Sequence, residues 1–194
     1  TRTDTTVTVR QNPERAVLNW QSFNVGAGNT VRFDQPSSSA VALNRIFQGA
    51  PSEIFGKLSA NGQIYLINQN GILFGQGSQV NARGLVASSL DITEEAAKNG
   101  LLSPNLLPFN KPAFQGDGRV FAVDANGQVL TDASGQPVPV KVVVAEGATL
   151  KAEKGGRVAL FGQQVENAGR IESPNGQVVL AAGQKVYLQA SSDP

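Results

Sequence analysis

The sequence predicts an all-β protein, a right-handed parallel β-helix with an amino-terminal cap and an extra-helical excursion made of a β-hairpin and a short helix. Three observations support this prediction. The composition is typical of strands and turns, with 21 glycines among 194 residues. A short segment recurs along the chain, and the recurrence stops between residues 92 and 145.

The recurring segment has the form glycine, polar residue, aliphatic residue, any residue, leucine. It occurs at 62–66, 156–160 and 176–180, and the last two copies start twenty residues apart. Repeats of about this length indicate a solenoid, and about twenty residues at 3.3 Å each make three short strands with corners. Parallel crossovers favour the right-handed sense. The residues predicted to stack inside are Ile64, Leu66, Ile72, Phe74, Val158, Leu160, Val178 and Leu180.

An antiparallel sandwich with chance glycine spacing is the alternative fold, because the three copies are weak. If the fold is a β-helix, the chain is expected to form one domain, 1–194. It is also expected to be a segment of a longer protein, since it begins with threonine and shows no signal peptide. Its expected parts are the cap and first strands (1–35), β-helix coils (36–91), the insertion (92–145) and coils continuing into a longer passenger (146–194). Trp20, Phe23 and Phe33 are expected to cover the core of the first turn.

The excursion is predicted from helix and turn signals. Asp91–Gly100 has acidic residues early, a lysine late and a terminal glycine, which is typical of a short helix. Asp124 and Asp132 each begin a turn that contains glycine. Neither is followed by a glutamate at the twelfth position, so hairpin turns are favoured over calcium loops.

Composition excludes several kinds of chemistry. The chain has no cysteine and no histidine, so it has no disulfide, thiol nucleophile, serine–histidine–aspartate triad or histidine metal ligand. Sixteen basic and fifteen acidic residues are scattered along the chain, which does not favour nucleic acid as a partner. We therefore expect no catalytic residue, no metal and no cofactor.

The segment Asn68-Gln69-Asn70-Gly71 lies between two apolar runs and predicts a turn. A buried corner of a solenoid must satisfy its backbone polar groups, and an asparagine side chain can both donate and accept. One asparagine is therefore expected to cap the bend while Asn70-Gly71 forms it.

The same residues carry a resemblance to a known family. Ser59–Gly75 resembles the Asn-Pro-Asn-Gly-Ile signature of two-partner-secretion domains, which begin filamentous haemagglutinin-like exoproteins and high-molecular-weight adhesins. Gln69 stands where that signature has proline. Three other segments resemble further motifs of the family and occur in the family's order along the chain: Asn19–Gly26, Ser39–Ile46 and Gln79–Ile92.

The resemblance implies a secretion module rather than an enzyme. The implied partner is a cognate outer-membrane β-barrel transporter with periplasmic POTRA domains, which takes the chain through the periplasm to the cell surface of a Gram-negative bacterium. The domain would then nucleate β-helix folding of its passenger, expected to be an adhesin that meets a host receptor or polysaccharide. The residues implied in transporter recognition are Asn68, Asn70, Gly71 and Ile72, followed by Asn44 and Arg45.

Two other functions remain open from the residues. One is a β-helix that binds a carbohydrate or receptor directly through the surface of residues 92–145. The other is a polysaccharide-degrading enzyme, which needs carboxylates and basic residues converging on one groove. The recurring segments carry Gln63, Arg157 and Gln177 at their second positions and no stacked acids, which disfavours an enzyme.

Overall fold

The computed structural model describes residues 5–106 and 111–188. The strands before the excursion are β1 (Thr6–Arg10), β2 (Arg15–Trp20), β3 (Thr30–Asp34), β4 (Val41–Ile46), β5 (Ser52–Ile54), β6 (Lys57–Ala60), β7 (Gln63–Ile67), β8 (Ile72–Phe74) and β9 (Gln79–Ser88). The later elements are β10 (Asp91–Ile92), α1 (Glu94–Asn99), a 3-10 turn (Pro104–Leu106), β11 (Phe114–Gln115), β12 (Val142–Val144), β13 (Thr149–Gly162), β14 (Val165–Asn167), β15 (Arg170–Glu172), β16 (Gln177–Ala182) and β17 (Lys185–Val186).

All of these strands except β10, β11 and β17, which form a small antiparallel sheet, stack in parallel to form the three faces of a β-helix. The first face contains β1, β3, β6, the start of β9, the start of β13 and β15, in that order. The second contains β2, β4, β7, the end of β9, the end of β13 and β16. The third contains β5, β8, β12 and β14. The predicted parallel β-helix is confirmed, and the sandwich alternative is wrong.

The interior is the stacked aliphatic core that the repeats predict. Six of the predicted inward residues, those from Ile64 to Leu160, are at most 1% exposed. The prediction is wrong for the burial of Val178 and Leu180, which are 46% and 43% exposed. Both align with buried Val158 and Leu160 of the preceding coil, but no described strand stacks on their other side.

The first coil is already part of the stack. β1 pairs with β3 along its whole length, and β2 pairs with β4. Trp20 and Phe23 make an edge-to-face contact with ring centroids 5.3 Å apart. Phe33 is 1% exposed and belongs to β3, so it lies in the second coil and pairs with Val9 of the first.

The second face is apolar on its outer side as well. Val41, Leu43, Tyr65, Ile67, Val86, Ala159 and Phe161 form a second buried cluster there, covered by Leu90 and by Ile92, Ala96, Leu101, Leu106, Ala113 and Phe114 of the excursion. The rings of Phe114 and Phe161 lie 4.8 Å apart. Parallel strands covered on both sides have near-continuous apolar sequences, as 64–67 and 158–161 do.

The excursion contains the short helix and tight turns expected from its sequence. Gly100 ends α1 with a φ of +98°. Beyond β11, antiparallel bridges join Phe121 to Pro139 and Val123 to Val129. None of the helices in the described parts of the chain is long and apolar enough to span a membrane.

Candidate functional site

The turn between β7 and β8 places the predicted signature residues at one corner of the β-helix, between its second and third faces. The N–H of Gly71 donates to the Asn68 carbonyl at 2.9 Å and closes the turn. Gly71 has a φ of +109°, and a Cβ there would lie 2.7 Å from the Lys141 carbonyl oxygen. Position 71 therefore requires glycine for two reasons: its positive φ and the close approach of a neighbouring coil.

Asn68 holds this turn to itself and to the coil before it. Its Oδ1 accepts the N–H of Asn70 at 2.9 Å. Its Nδ2 donates to the Ala50 carbonyl at 3.1 Å and to the Ser52 hydroxyl at 3.0 Å. The side chain is 1% exposed and makes the capping contacts that the sequence predicts for a corner asparagine.

Asn70 joins the turn to the excursion. Its Nδ2 donates to the carbonyls of Gln48 and Val123 at 2.9 Å and 3.0 Å. Its Oδ1 accepts the N–H of Val123 at 2.9 Å and an Nη1 hydrogen of Arg119 at 3.5 Å. The residue is 7% exposed, so its amide group is enclosed between the preceding coil and residues that follow much later in the chain.

Gln69 and Ile72 complete the corner. Gln69 is half-buried, and its Oε1 accepts a hydrogen bond from Arg119 Nη2 at 3.2 Å. A proline at this position could not accept that bond. Ile72 is 1% exposed inside the core, and its N–H donates to the Lys141 carbonyl at 3.0 Å.

Asn44 and Arg45 lie in β4, and their side chains have different surroundings from the turn and from each other. Asn44 is fully buried: its Oδ1 accepts Trp20 Nε1–H at 2.9 Å, and its Nδ2 donates to the carbonyls of Ala42 and Tyr65. In register it stands between Leu18 and Leu66. It is thus a satisfied polar group inside an aliphatic column.

Arg45 points out of the β-helix toward the start of the excursion. Its Nη2 donates to the Ile92 carbonyl at 3.0 Å and lies 3.4 Å from the Asp91 carboxylate. Its Nε is buried without a hydrogen-bond partner. The sequence motif Asn44-Arg45 therefore divides between the interior and the outer cover.

The residues around the turn that sequence reasoning missed are Gln48, Ser52, Arg119 and Val123. Gln48 and Ser52 lie one coil earlier, so a correct coil register would have found them. No repeat or motif points to Arg119 or Val123.

The acidic turns of the excursion are organised by backbone hydrogen bonds. Asp124 Oδ1 accepts the N–H groups of Asn126 and Gln128, each at 2.8 Å. The backbone bond from Gln128 is the main reason that the pKa of Asp124 lies below its ordinary value. Within residues 5–106 and 111–188, no three His, Cys, Asp or Glu residues are grouped so that they could hold a metal ion.

Comparison with known proteins gives consistent matches. The model of the family described as TPS secretion domain matches residues 1–193. A heme/hemopexin-binding protein of Haemophilus influenzae is 35% identical over 178 residues, which are 91% of this chain and 17% of that protein. Another Haemophilus influenzae protein of that name is 43% identical over 86 residues, 44% of this chain and 9% of that protein. The chain therefore spans only a small part of these curated relatives.

The fold is also found among solved structures. The crystal structure of the HMW1 secretion domain from Haemophilus influenzae matches with a TM-score of 0.71 and 28% sequence identity. The match covers 93% of this chain and 40% of that one.

Proposed function

The chain belongs to the TPS secretion domain family, and from this membership we propose that it is the amino-terminal secretion domain of a large exoprotein. The family is a secretion domain family and not a known family of enzymes. The proposed partner is a cognate outer-membrane β-barrel transporter whose periplasmic POTRA domains meet the chain first. The proposed destination is the cell surface of a Gram-negative bacterium.

The observation that best supports a role in templated folding is the last described coil of the stack, which no described strand covers on its far side. Val178 and Leu180 point inward in register with Val158 and Leu160, yet about half of each side chain is exposed. The backbone edge of β16 and these side chains together offer a further coil both hydrogen-bonding groups and an apolar surface. In a solenoid each repeat contacts its neighbours, so a finished coil can template the next.

The signature turn supports a particular stage for recognition. Asn68 and Asn70 are enclosed in the folded domain, and Asn70 is covered by Val123, 53 residues later in the chain. A partner that reads these side chains would meet them before the excursion docks. We therefore propose that the transporter binds the turn segment in the extended chain, and that Asn44 and Arg45 are read in that same state.

The passenger is proposed to be an adhesin, which follows from the resemblance of the signature and from the likeness to the HMW1 secretion domain. A second candidate is a passenger that binds heme or a heme carrier, because two relatives are named heme/hemopexin-binding proteins. A host receptor or polysaccharide would then be met through the passenger.

A secretion assay tests the proposal. The chain is fused ahead of a reporter passenger and expressed with a cognate outer-membrane transporter, and the reporter is measured in the medium and in the periplasm. We expect Asn68→Ala and Asn70→Ala to lower export several-fold, while deletion of residues 1–194 abolishes it. Export that survives the deletion would contradict the proposal.

A matched control separates recognition from folding. Asn61 caps another corner through two hydrogen bonds with the Gln35 backbone, at 2.8 Å and 2.7 Å. Asn61→Ala removes a comparable structural contact at a residue that is not among those implied in transporter recognition. If Asn61→Ala lowers export as much as Asn70→Ala at equal loss of circular dichroism signal, the turn acts only through folding.

A further inference from the structure

A polar notch lies on the outer corner between the first and second faces, away from the signature turn. It has a volume of about 640 Å³, within the range of about 300–1,000 Å³ that small ligands occupy in proteins. The notch arises because the corner changes length from coil to coil. Residues 35–40 form the corner between β3 and β4, whereas only 61–62 separate β6 from β7, and β9 turns the corner without a break.

The next coil is wide again and closes the other side. β13 contains an irregularity between Ala152 and Arg157, where residues 153–156 bulge from the sheet. The notch therefore sits above the two shortest corners, with Ser39 on one wall and Gly155 on the other. These walls are three coils apart, or about 14 Å at the strand spacing of parallel sheets.

Gly84, which has no side chain, deepens the floor of the notch. Gln63, Gly84 and Arg157 are consecutive members of one outward column of the second face. A Cβ on Gly84 would lie 3.4 Å from Gln63 Cγ, at ordinary contact distance. The glycine thus leaves an opening between an amide and a guanidinium without any backbone strain that would require glycine.

The notch is positively charged and has no acidic lining residue. Arg83 and Arg157 line it, and Arg15 begins the column that leads to Gln63. Arg83 donates to the Lys154 carbonyl and Arg157 to Gln177 Oε1, each at 3.1 Å. Among the residues that the structure describes, none of these three arginines forms an ion pair with a carboxylate.

The positive charges of Arg15 and Arg157 also act on Tyr65, which lines the notch. Burial raises the pKa of its phenol, and the positive charges of Arg15 and Arg157 act against that rise. The positive charges of Arg15 and Arg157 therefore add at the notch, where a bound anion would supply the counter-charge that no lining carboxylate supplies.

We propose that this notch binds an oligosaccharide that carries carboxylate groups. Guanidinium groups match planar carboxylates in geometry as well as charge, and the amides of Gln63, Asn175 and Gln177 offer donors and acceptors for hydroxyl groups. The strand backbones beneath are already paired in the sheet, so an added peptide strand has no edge to join. Glycoside hydrolysis uses a pair of carboxylates, and the lining has none, so the ligand is bound and not cleaved.

The experiment is a calorimetric titration of the 194-residue chain with a hexamer of galacturonate at moderate salt. We expect binding that is lost at least tenfold in the Arg83→Gln/Arg157→Gln double variant and in Gly84→Leu, which fills the floor and keeps every charge. Arg32→Gln/Lys151→Gln is the matched control, because these exposed cations lie on the first face outside this notch. It should bind as the unchanged chain does.

The alternatives are resolved by the probes. A neutral maltohexaose that binds equally well would overturn the role of the carboxylate, and hexaglutamate that binds equally well would overturn the preference for sugar. A sulfated hexamer that binds more tightly would assign the anion to sulfate instead. Loss of binding in Gly84→Leu counts only if circular dichroism shows the β-helix intact; if that variant unfolds, Gly84→Ser takes its place with the same expectation.

Discussion

The carboxamide of Asn70 pairs with the backbone of Val123 as a neighbouring strand would. Its Oδ1 accepts the Val123 N–H at 2.9 Å, and its Nδ2 donates to the Val123 carbonyl at 3.0 Å. A single side chain thereby fastens the excursion to the corner that carries the signature. The docking of the excursion and the hydrogen bonding of the turn are consequently coupled, since the Val123 backbone takes both of its Asn70 partners from this one side chain.

Replacing Asn70 with alanine should destabilise the domain by about 2–3 kcal/mol, because part-buried backbone groups of both Gln48 and Val123 lose their partners. Urea denaturation followed by circular dichroism measures the change. Gln69→Ala is the control: its half-buried side chain makes one described contact, with Arg119, and should cost less than about 1 kcal/mol. Equal losses in the two variants would show that the Val123 pairing contributes nothing particular.

Two glycines with positive φ separate backbone strain from crowding. Gly71 has a φ of +109° and the Lys141 carbonyl 2.7 Å from its virtual Cβ, whereas Gly77 has a φ of +82° and nothing within 4 Å. Gly77→Ala should therefore cost about 1 kcal/mol from conformation alone, and Gly71→Ala about 3 kcal/mol because a neighbouring strand must also move. Thermal or urea unfolding of the two variants gives the difference, and similar values would contradict the close approach.

The fold could be predicted from the sequence because the stacking repeats itself. The pattern at 156–160 and 176–180 reports a coil length directly, and the structure aligns these residues one to one. The exposure of Val178 could not be predicted in the same way, since it depends on whether another coil follows.

The candidate site was predictable only where its contacts are local. The Asn68–Asn70 bond spans two residues and follows from known turn chemistry. The Asn70–Val123 bonds span 53 residues and join the β-helix to an excursion that has no sequence periodicity. No sequence pattern therefore predicts them. Asn44 sits at an inward position that its neighbours in β4 indicate, but the family resemblance suggested recognition rather than a bond to Trp20.

Asn44 should be needed for the environment of Trp20, which is the chain's only tryptophan. In Asn44→Leu the indole N–H loses its acceptor, while the column between Leu18 and Leu66 becomes fully aliphatic. We expect a net loss of about 1–2 kcal/mol and a shift of tryptophan emission in the folded state. Asn19→Ala, at an exposed position beside Trp20, should leave the emission unchanged. Unaltered emission in Asn44→Leu would argue against the bond.

The acidic turns of the excursion should weaken in acid. The pKa of Asp124 is lowered mainly by the backbone N–H of Gln128, and that of Asp132 by the Ser134 hydroxyl, from an ordinary value of 3.8. A carboxyl with a lowered folded pKa stabilises the turn above its unfolded pKa, and this stabilisation disappears as the pH falls through the folded pKa. Carboxyl-carbon NMR titration should therefore place both groups below 3.8. Amide exchange at Gln128 and Gln136 should rise over the same pH range, after correction for intrinsic rates.

The control for this prediction is Asp124→Asn, whose side-chain oxygen still accepts hydrogen bonds but does not titrate. In this variant, exchange at Gln128 should no longer follow the pH dependence, while exchange at Gln136 still does. Titration of either aspartate at or above 3.8 would mean that these turns do not depend on the carboxylate.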